Sequence, residues 1–241
     1  MIRLVIPTFL IFSFSLLIIN ACQKTASQLI EDFSTELQNQ SIDISAPNIS
    51  STKLKLSKPA GKEMALILLL QEKKDINSTS KARFLERGYM LAELSFDANT
   101  SIDKRQEQIL ASLHYLKHEF IRNNVSPKKI IVKGESDLGI NALMAGMEKM
   151  VDGVVVDAPK FTDSKKNSTE LLKAIQSPFL IITGENDPNI SYDNILAIEA
   201  AYHNCQNCTR QGEFIYYPGG VEGYHQEMIW EVIFSFIEAE V

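Results

Sequence analysis

Cysteine is scarce in this sequence: Cys22, Cys205 and Cys208 are the only three in 241 residues. A single close pair, Cys205-Gln206-Asn207-Cys208, has no second ligand pair elsewhere, so nothing here composes a zinc site. Although His203 and Cys205 lie close together, they meet the same objection, and the helical pair His114 and His118 lacks the Glu of an H-E-x-x-H motif, because Tyr115 stands there. No block of Lys and Arg is available to track phosphates, which removes nucleic acid from the partners. Internal repeats are absent. Nothing in the chain asks for a metal or a cofactor. What is present, 45% apolar and 22% charged residues, matches one ordinary globular domain with extra segments and excludes wholesale disorder or a multi-domain chain.

The apolar residues are unevenly spread. Residues 4–19 are nearly continuous Leu, Ile, Val and Phe behind one early cation, Arg3. That run is short for a membrane span and has the position and flank of a secretory signal. It ends in Ile19-Asn20-Ala21-Cys22, which resembles the bacterial lipobox, so cleavage is expected before Cys22 and lipidation on it. Loss of residues 1–21 removes Arg3 and moves the net charge from −6 to −7. The expected product is a lipoprotein held to a bilayer surface by the acyl chains on Cys22, each buried CH₂ contributing about 0.8 kcal/mol. By resemblance to lipoprotein sorting rules, Gln23 directs it to the periplasmic side of an outer membrane. Outside the cytoplasm, Cys205 and Cys208 are most simply a disulfide, because a redox pair would want a helix N-terminus and this one follows a helical pattern.

Residues 22–50 are rich in Ser, Gln, Asn and Asp and read as a flexible tether, with one short helix near 27–37. From residue 51 to 241, short apolar runs alternate with helical patterns. The runs at 65–70, 90–94, 130–132, 153–156, 179–183 and 214–217 suit strands buried on both faces. Helical spacing marks 101–123, 137–150, 192–202 and 226–240. On the first of these, His114 and His118 fall beside the apolar stripe, which puts them at the solvent edge. The alternation predicts an α/β single domain: an open, mostly parallel sheet with helices on both faces and ligands at the carboxyl ends of the strands.

Three loops after strands hold Ser, Asp and His in chain order. Gly134-Glu135-Ser136-Asp137-Leu138-Gly139 carries an apolar strand through a tight turn into a helix and resembles the nucleophile elbow of the α/β-hydrolase family. Leu138 stands where that family usually has its second glycine, and Gly139 follows one residue later. Gly184-Glu185-Asn186-Asp187-Pro188 resembles the segment that supplies the acid in small dienelactone-hydrolase-like members. Asp157, after the preceding strand, is the alternative acid. The segment ending Gly219-Gly220-Val221-Glu222-Gly223-Tyr224-His225 is similar to the family's histidine loop. Lys58-Pro59-Ala60-Gly61-Lys62 and Gly88-Tyr89 add to a resemblance that runs from about residue 54 to the end.

The resemblance implies a serine hydrolase acting on a small-molecule carboxylic ester. His225 would take the proton of Ser136 as its hydroxyl attacks the acyl carbonyl, and Asp187 would orient the imidazole and stabilise the imidazolium. Two backbone N–H donors must meet the oxyanion. The amide of Asp137 is one candidate, and the loop after residues 65–70, beginning at Gln71, should supply the other. That loop reads Gln71-Glu72-Lys73-Lys74, without glycine, where such enzymes carry His-Gly. A catalytically silent binding lipoprotein on the same scaffold is the competing expectation. Residues 158–171 are too short and polar for a lid, which implies an open site and modest, water-soluble esters.

Overall fold

Runs of apolar residues with no polar interruption become the interior of a sheet. The computed structural model describes residues 39–44, 52–59, 65–73, 78–120, 129–161, 165–187, 190–205, 211–218 and 227–240. Its strands are β1 (Asn39–Ile44), β2 (Thr52–Ser57), β3 (Leu66–Glu72), β4 (Met90–Phe96), β5 (Ile130–Glu135), β6 (Gly153–Asp157), β7 (Phe179–Gly184) and β8 (Gly212–Tyr217). Its helices are α1 (Ser78–Glu86), α2 (Ile102–Tyr115), α3 (Asp137–Ala145), α4 (Lys165–Ala174), α5 (Tyr192–His203) and α6 (Glu227–Glu240). A π-helical turn, Leu116–Phe120, continues α2. One eight-stranded sheet results, in the order β1-β2-β4-β3-β5-β6-β7-β8. Strand β2 runs antiparallel to β4, and the pairs from β4 through β8 are parallel.

The central strands β3, β5, β6 and β7 are buried on both faces, as unbroken apolar runs require. Alternate residues feed two cores. On one face Leu68, Val132, Val156 and Ile181 pack with Ile109 and Leu113 of α2, Ala142 of α3 and Ile195 of α5. On the other, Ile67, Ile131, Val155 and Leu180 meet Phe84 of α1 and Trp230, Ile233 and Phe234 of α6. Helices therefore cover both faces of an open α/β sheet, as the alternation of patterns requires.

Two strands and two helices escape the sequence reading for a shared reason. In Thr52–Ser57, Leu54 and Leu56 point inward while Lys53 and Lys55 are exposed, so β2 alternates instead of presenting an apolar run. Strand β1 lies inside the segment expected to be a tether. The compact unit accordingly runs from Ser41 to Val241, starting upstream of residue 51. Helices α1 and α4 are short and strongly polar in sequence, which hides their periodicity. His114 and His118 are both exposed, with ring centroids 4.4 Å apart.

Helices α1 and α6 are held together by an aromatic cluster. Phe84 is fully buried and meets Tyr89, Trp230 and Phe234 edge to face at 5.5 to 6.0 Å between centroids. Such pairs add to the transfer free energy of burial. Phe84→Ala should cost about 3–5 kcal/mol in urea denaturation; a loss below about 1 kcal/mol would show that the cluster does not fasten these helices.

Candidate active site

The nucleophile candidate sits where strand β5 turns into α3. Ser136 has φ 50° and ψ −121°, a combination that side chains other than glycine's seldom permit. Strain of this kind costs about 1–3 kcal/mol and persists only when the surroundings over-determine it. Here they do. The Ser136 amide donates to the Asp157 carbonyl at 2.9 Å, and the Ser136 carbonyl accepts from the amides of Gly139 at 3.0 Å and Lys160 at 3.2 Å. Three such bonds, at about 0.5–1.5 kcal/mol each, are of the size needed to offset the strain. The Ser136 hydroxyl does not cap α3, and the residue is half-buried.

Both flanking glycines are required by space. A Cβ on Gly134 would lie 2.5 Å from the Leu138 carbonyl oxygen, and one on Gly139 would lie 2.7 Å from Val156 Cγ1 and 3.2 Å from Pro159 Cβ. Gly139 thus performs the close packing of helix on sheet, while Leu138, 3% exposed, enters the core instead. Ala158 also takes a positive φ, 46°, and its amide donates to Ile182 O at 2.8 Å. This bend follows β6 directly and leads the chain, through Pro159, to Lys160 and the elbow.

The Asp137 amide occupies the first turn of α3, where helix N–H groups have no partner within the helix and face an anion favourably. Its carboxylate would oppose a developing oxyanion if it faced the same way. It lies instead 3.4 Å from Lys160 Nζ. Gln71 is placed differently from the sequence expectation, because β3 continues through Glu72 and pairs Gln71 with Ser95. The Leu66 amide donates toward β5, to Lys129 O, and the Lys73 amide toward β4, to Phe96 O. Backbone groups alternate sides along a strand, so Gln71 directs its N–H to β4 and is spent in the ladder. The Glu72 amide faces β5. Continuing the register Leu69↔Lys133 sets Glu72 level with Ser136. A residue count from the apolar run cannot find this one-residue shift, which depends on the side of the strand.

Asp187 follows β7 and is 7% exposed. Thr183 Oγ1 donates to its Oδ2 at 3.4 Å, and its amide donates to Gly184 O at 3.2 Å. Asp157, the other acid candidate, ends β6 at 4% exposure. Burial first, then the charges of Asp157 and Asp187, push the Tyr217 phenol well above its ordinary range, which places both carboxylates near the end of β8. The Glu185 amide binds Tyr217 O at 3.0 Å and ties the acid's loop to that strand. His225, Cys22 and Cys208 lie outside the described residues; the segment that contains His225 joins β8 to α6. Among the described residues no three His, Cys, Asp or Glu side chains are grouped to hold a metal ion.

Gly139→Ala should destabilise the domain by about 1–3 kcal/mol, because Val156 and Pro159 are backed by the core and cannot yield freely. Urea denaturation of the variant measures this, and an unchanged midpoint would contradict the packing role.

No family model and no curated protein sequence matches the chain. Solved structures do. Est1E from Butyrivibrio proteoclasticus superposes with a TM-score of 0.66 at 13% identity, over 83% of this chain and 98% of that one. Thermogutta terrifontis esterase 2 phosphoramylated by tabun gives 0.67 at 12% identity, over 83% and 94%. The same esterase phosphorylated by paraoxon gives 0.66 at 12%, over 85% and 95%. At such identities the likeness speaks for architecture, and together with the strand order and the elbow it establishes that this chain has the α/β-hydrolase fold.

Proposed function

We propose that the protein is a serine hydrolase that cleaves carboxylic esters, with Ser136 as nucleophile, His225 as general base and Asp187 as the acid that orients it. The observation that carries this reading is the backbone of Ser136. A strained residue between strand and helix, held by three hydrogen bonds and flanked by two sterically required glycines, has no packing purpose that an unstrained turn would not serve better.

In this mechanism His225 removes the Ser136 proton as Oγ bonds to the acyl carbon. The carbonyl π electrons move to oxygen, and the amides of Asp137 and Glu72 receive that oxyanion. Collapse expels the alcohol with the proton from His225 and leaves an acyl-enzyme. Water then repeats the sequence, releasing the acid and restoring the hydroxyl. Asp187 is favoured over Asp157 because it follows the strand adjacent to β8, from which the histidine loop departs. Only seven residues separate β6 from α4, which supports an open site and short, water-soluble esters over long-chain lipid.

The reading extends to location. Cleavage before Cys22 and lipidation there would hold the domain at the periplasmic side of a membrane, with the outer membrane indicated by Gln23. Among the described residues no helix is long and apolar enough to cross a bilayer. Cys205 is disulfide-bonded, which supports a bridge to Cys208 and an oxidising compartment.

A silent binding protein is the second reading, favoured by the engagement of Gln71 in the β3–β4 ladder. Fluorophosphonate labelling separates the two. Stoichiometric labelling is expected, abolished in Ser136→Ala and slowed about 10⁴-fold in Asp187→Asn, with a far smaller effect of Asp157→Asn. Absence of labelling would leave the binder. In the same preparation, hydrolysis of acetate and butyrate esters should exceed that of emulsified long-chain glycerides; the reverse order would refute an open, lidless site.

A further inference from the structure

A cleft of about 690 Å³ lies over the carboxyl ends of β3 and β4, lined also by residues of β2 and α2. Its size is that of a small-molecule site. Charge distinguishes it from the rest of the molecule. The chain carries a net charge of −6, yet Lys53, Lys55, Lys73 and Lys104 line this cleft against only two carboxylates, Glu93 and Asp97. Both carboxylates are already paired, Asp97 with Lys73 at 2.8 Å and Glu93 with Lys81 at 2.6 Å. Lys53, Lys55 and Lys104 are left as exposed cations without an ion-pair partner among the described residues.

The lysines reach the cleft from both sides of the sheet edge, Lys53 and Lys55 from the face of α1 and Lys104 from the helix on the other face. Lys55 stands opposite Glu93 across β2 and β4, and Lys53, two residues earlier on the same face, stands opposite Ser95. Ser95 in turn receives the Gln71 side-chain amide at 3.0 Å. Lys104 reaches the same cleft from the first turn of α2. Phe96 and Thr52, both nearly fully buried, contribute its less polar lining. The cleft begins at Gln71 and Lys73, the two neighbours of Glu72, which is level with Ser136. Strands lie about 4.8 Å apart, so β2 is roughly 14 Å from the nucleophile's strand, within the span of a modest ester.

We propose that this cleft binds an anionic group at the remote end of the ester, so that the preferred substrates are esters bearing a free carboxylate. The proposal rests on the serine-hydrolase reading and adds the substrate class to it. Three unpaired ammonium groups in a partly enclosed cleft attract a carboxylate that water-exposed lysines spread over a surface would not, and the attraction should weaken with salt.

Two matched ester pairs test it on the full chain. Para-nitrophenyl hemiglutarate against para-nitrophenyl pentanoate places the charge on the acyl side. Para-(carboxymethyl)phenyl acetate against para-tolyl acetate places it on the leaving side. In at least one pair the anionic member should have a kcat/KM about tenfold higher at low salt, with the ratio falling towards one at about 0.5 M salt as the Debye length shortens. Combined Lys53→Met, Lys55→Met and Lys104→Met should collapse that ratio. No preference in either pair, or a preference that survives both salt and the triple substitution, overturns the proposal. Calorimetric titration of glutarate into Ser136→Ala, with and without the three lysine substitutions, stands apart from catalysis. Binding weakened at least about fivefold by the substitutions supports the cleft even if no ester is turned over, whereas absence of binding overturns it even if neutral esters are hydrolysed.

Discussion

The unfavourable backbone of Ser136 is the constraint on which the rest of the site depends. Its φ of 50° turns the chain from β5 into α3 within one residue, and Ser136 joins neither core. The turn is retained because its neighbours leave no relaxed alternative. Asp157 O fixes the amide from β6, the amides of Gly139 and Lys160 fix the carbonyl, and Gly134 gives the Leu138 carbonyl room to approach.

The same constraint organises the groups around it. Ala158 takes a second positive φ directly after β6, and the bend carries Pro159 against Gly139 and brings Lys160 to both the Ser136 carbonyl and the Asp137 carboxylate. The Asp137 carboxylate is thereby paired with a cation beside the helix N-terminus, where its amide would meet an anion. On the far side, β3 runs three residues beyond its last pair with β5, so the Glu72 amide faces the elbow beyond that pairing. Tyr217, closing β8 between the charges of Asp157 and Asp187, gathers the acid end of the site. Electrostatics at the strand ends is therefore divided, with carboxylates toward β6 to β8 and lysines toward β2 to β4.

Legibility followed the physical origin of each feature. The strands buried on both faces were visible because burial on both faces demands an unbroken apolar run, as in residues 65–70 and 179–183. Strand β2 was hidden because it buries one face only, and Lys53 and Lys55 on its other face made it look polar. Ser136 and Asp187 could be singled out because a tight turn after a strand needs Gly and Asx-type residues that leave a local signature. The displaced second glycine, Gly139, was also legible, but its packing role was decided by its contacts. Gly139, one position beyond the usual spacing, is the residue against which Val156 and Pro159 pack.

What the sequence by itself determined is the alternation of elements, because local periodicity is written in neighbouring residues. What only the tertiary structure decided is orientation. Whether the Gln71 or the Glu72 amide faces Ser136 depends on which side of β3 each residue presents, and that is set by pairing with β4 and β5, strands from distant parts of the chain. The convergence of Lys53, Lys55 and Lys104 has the same origin, since their sequence separation carries no sign that β2 and α2 border one cleft.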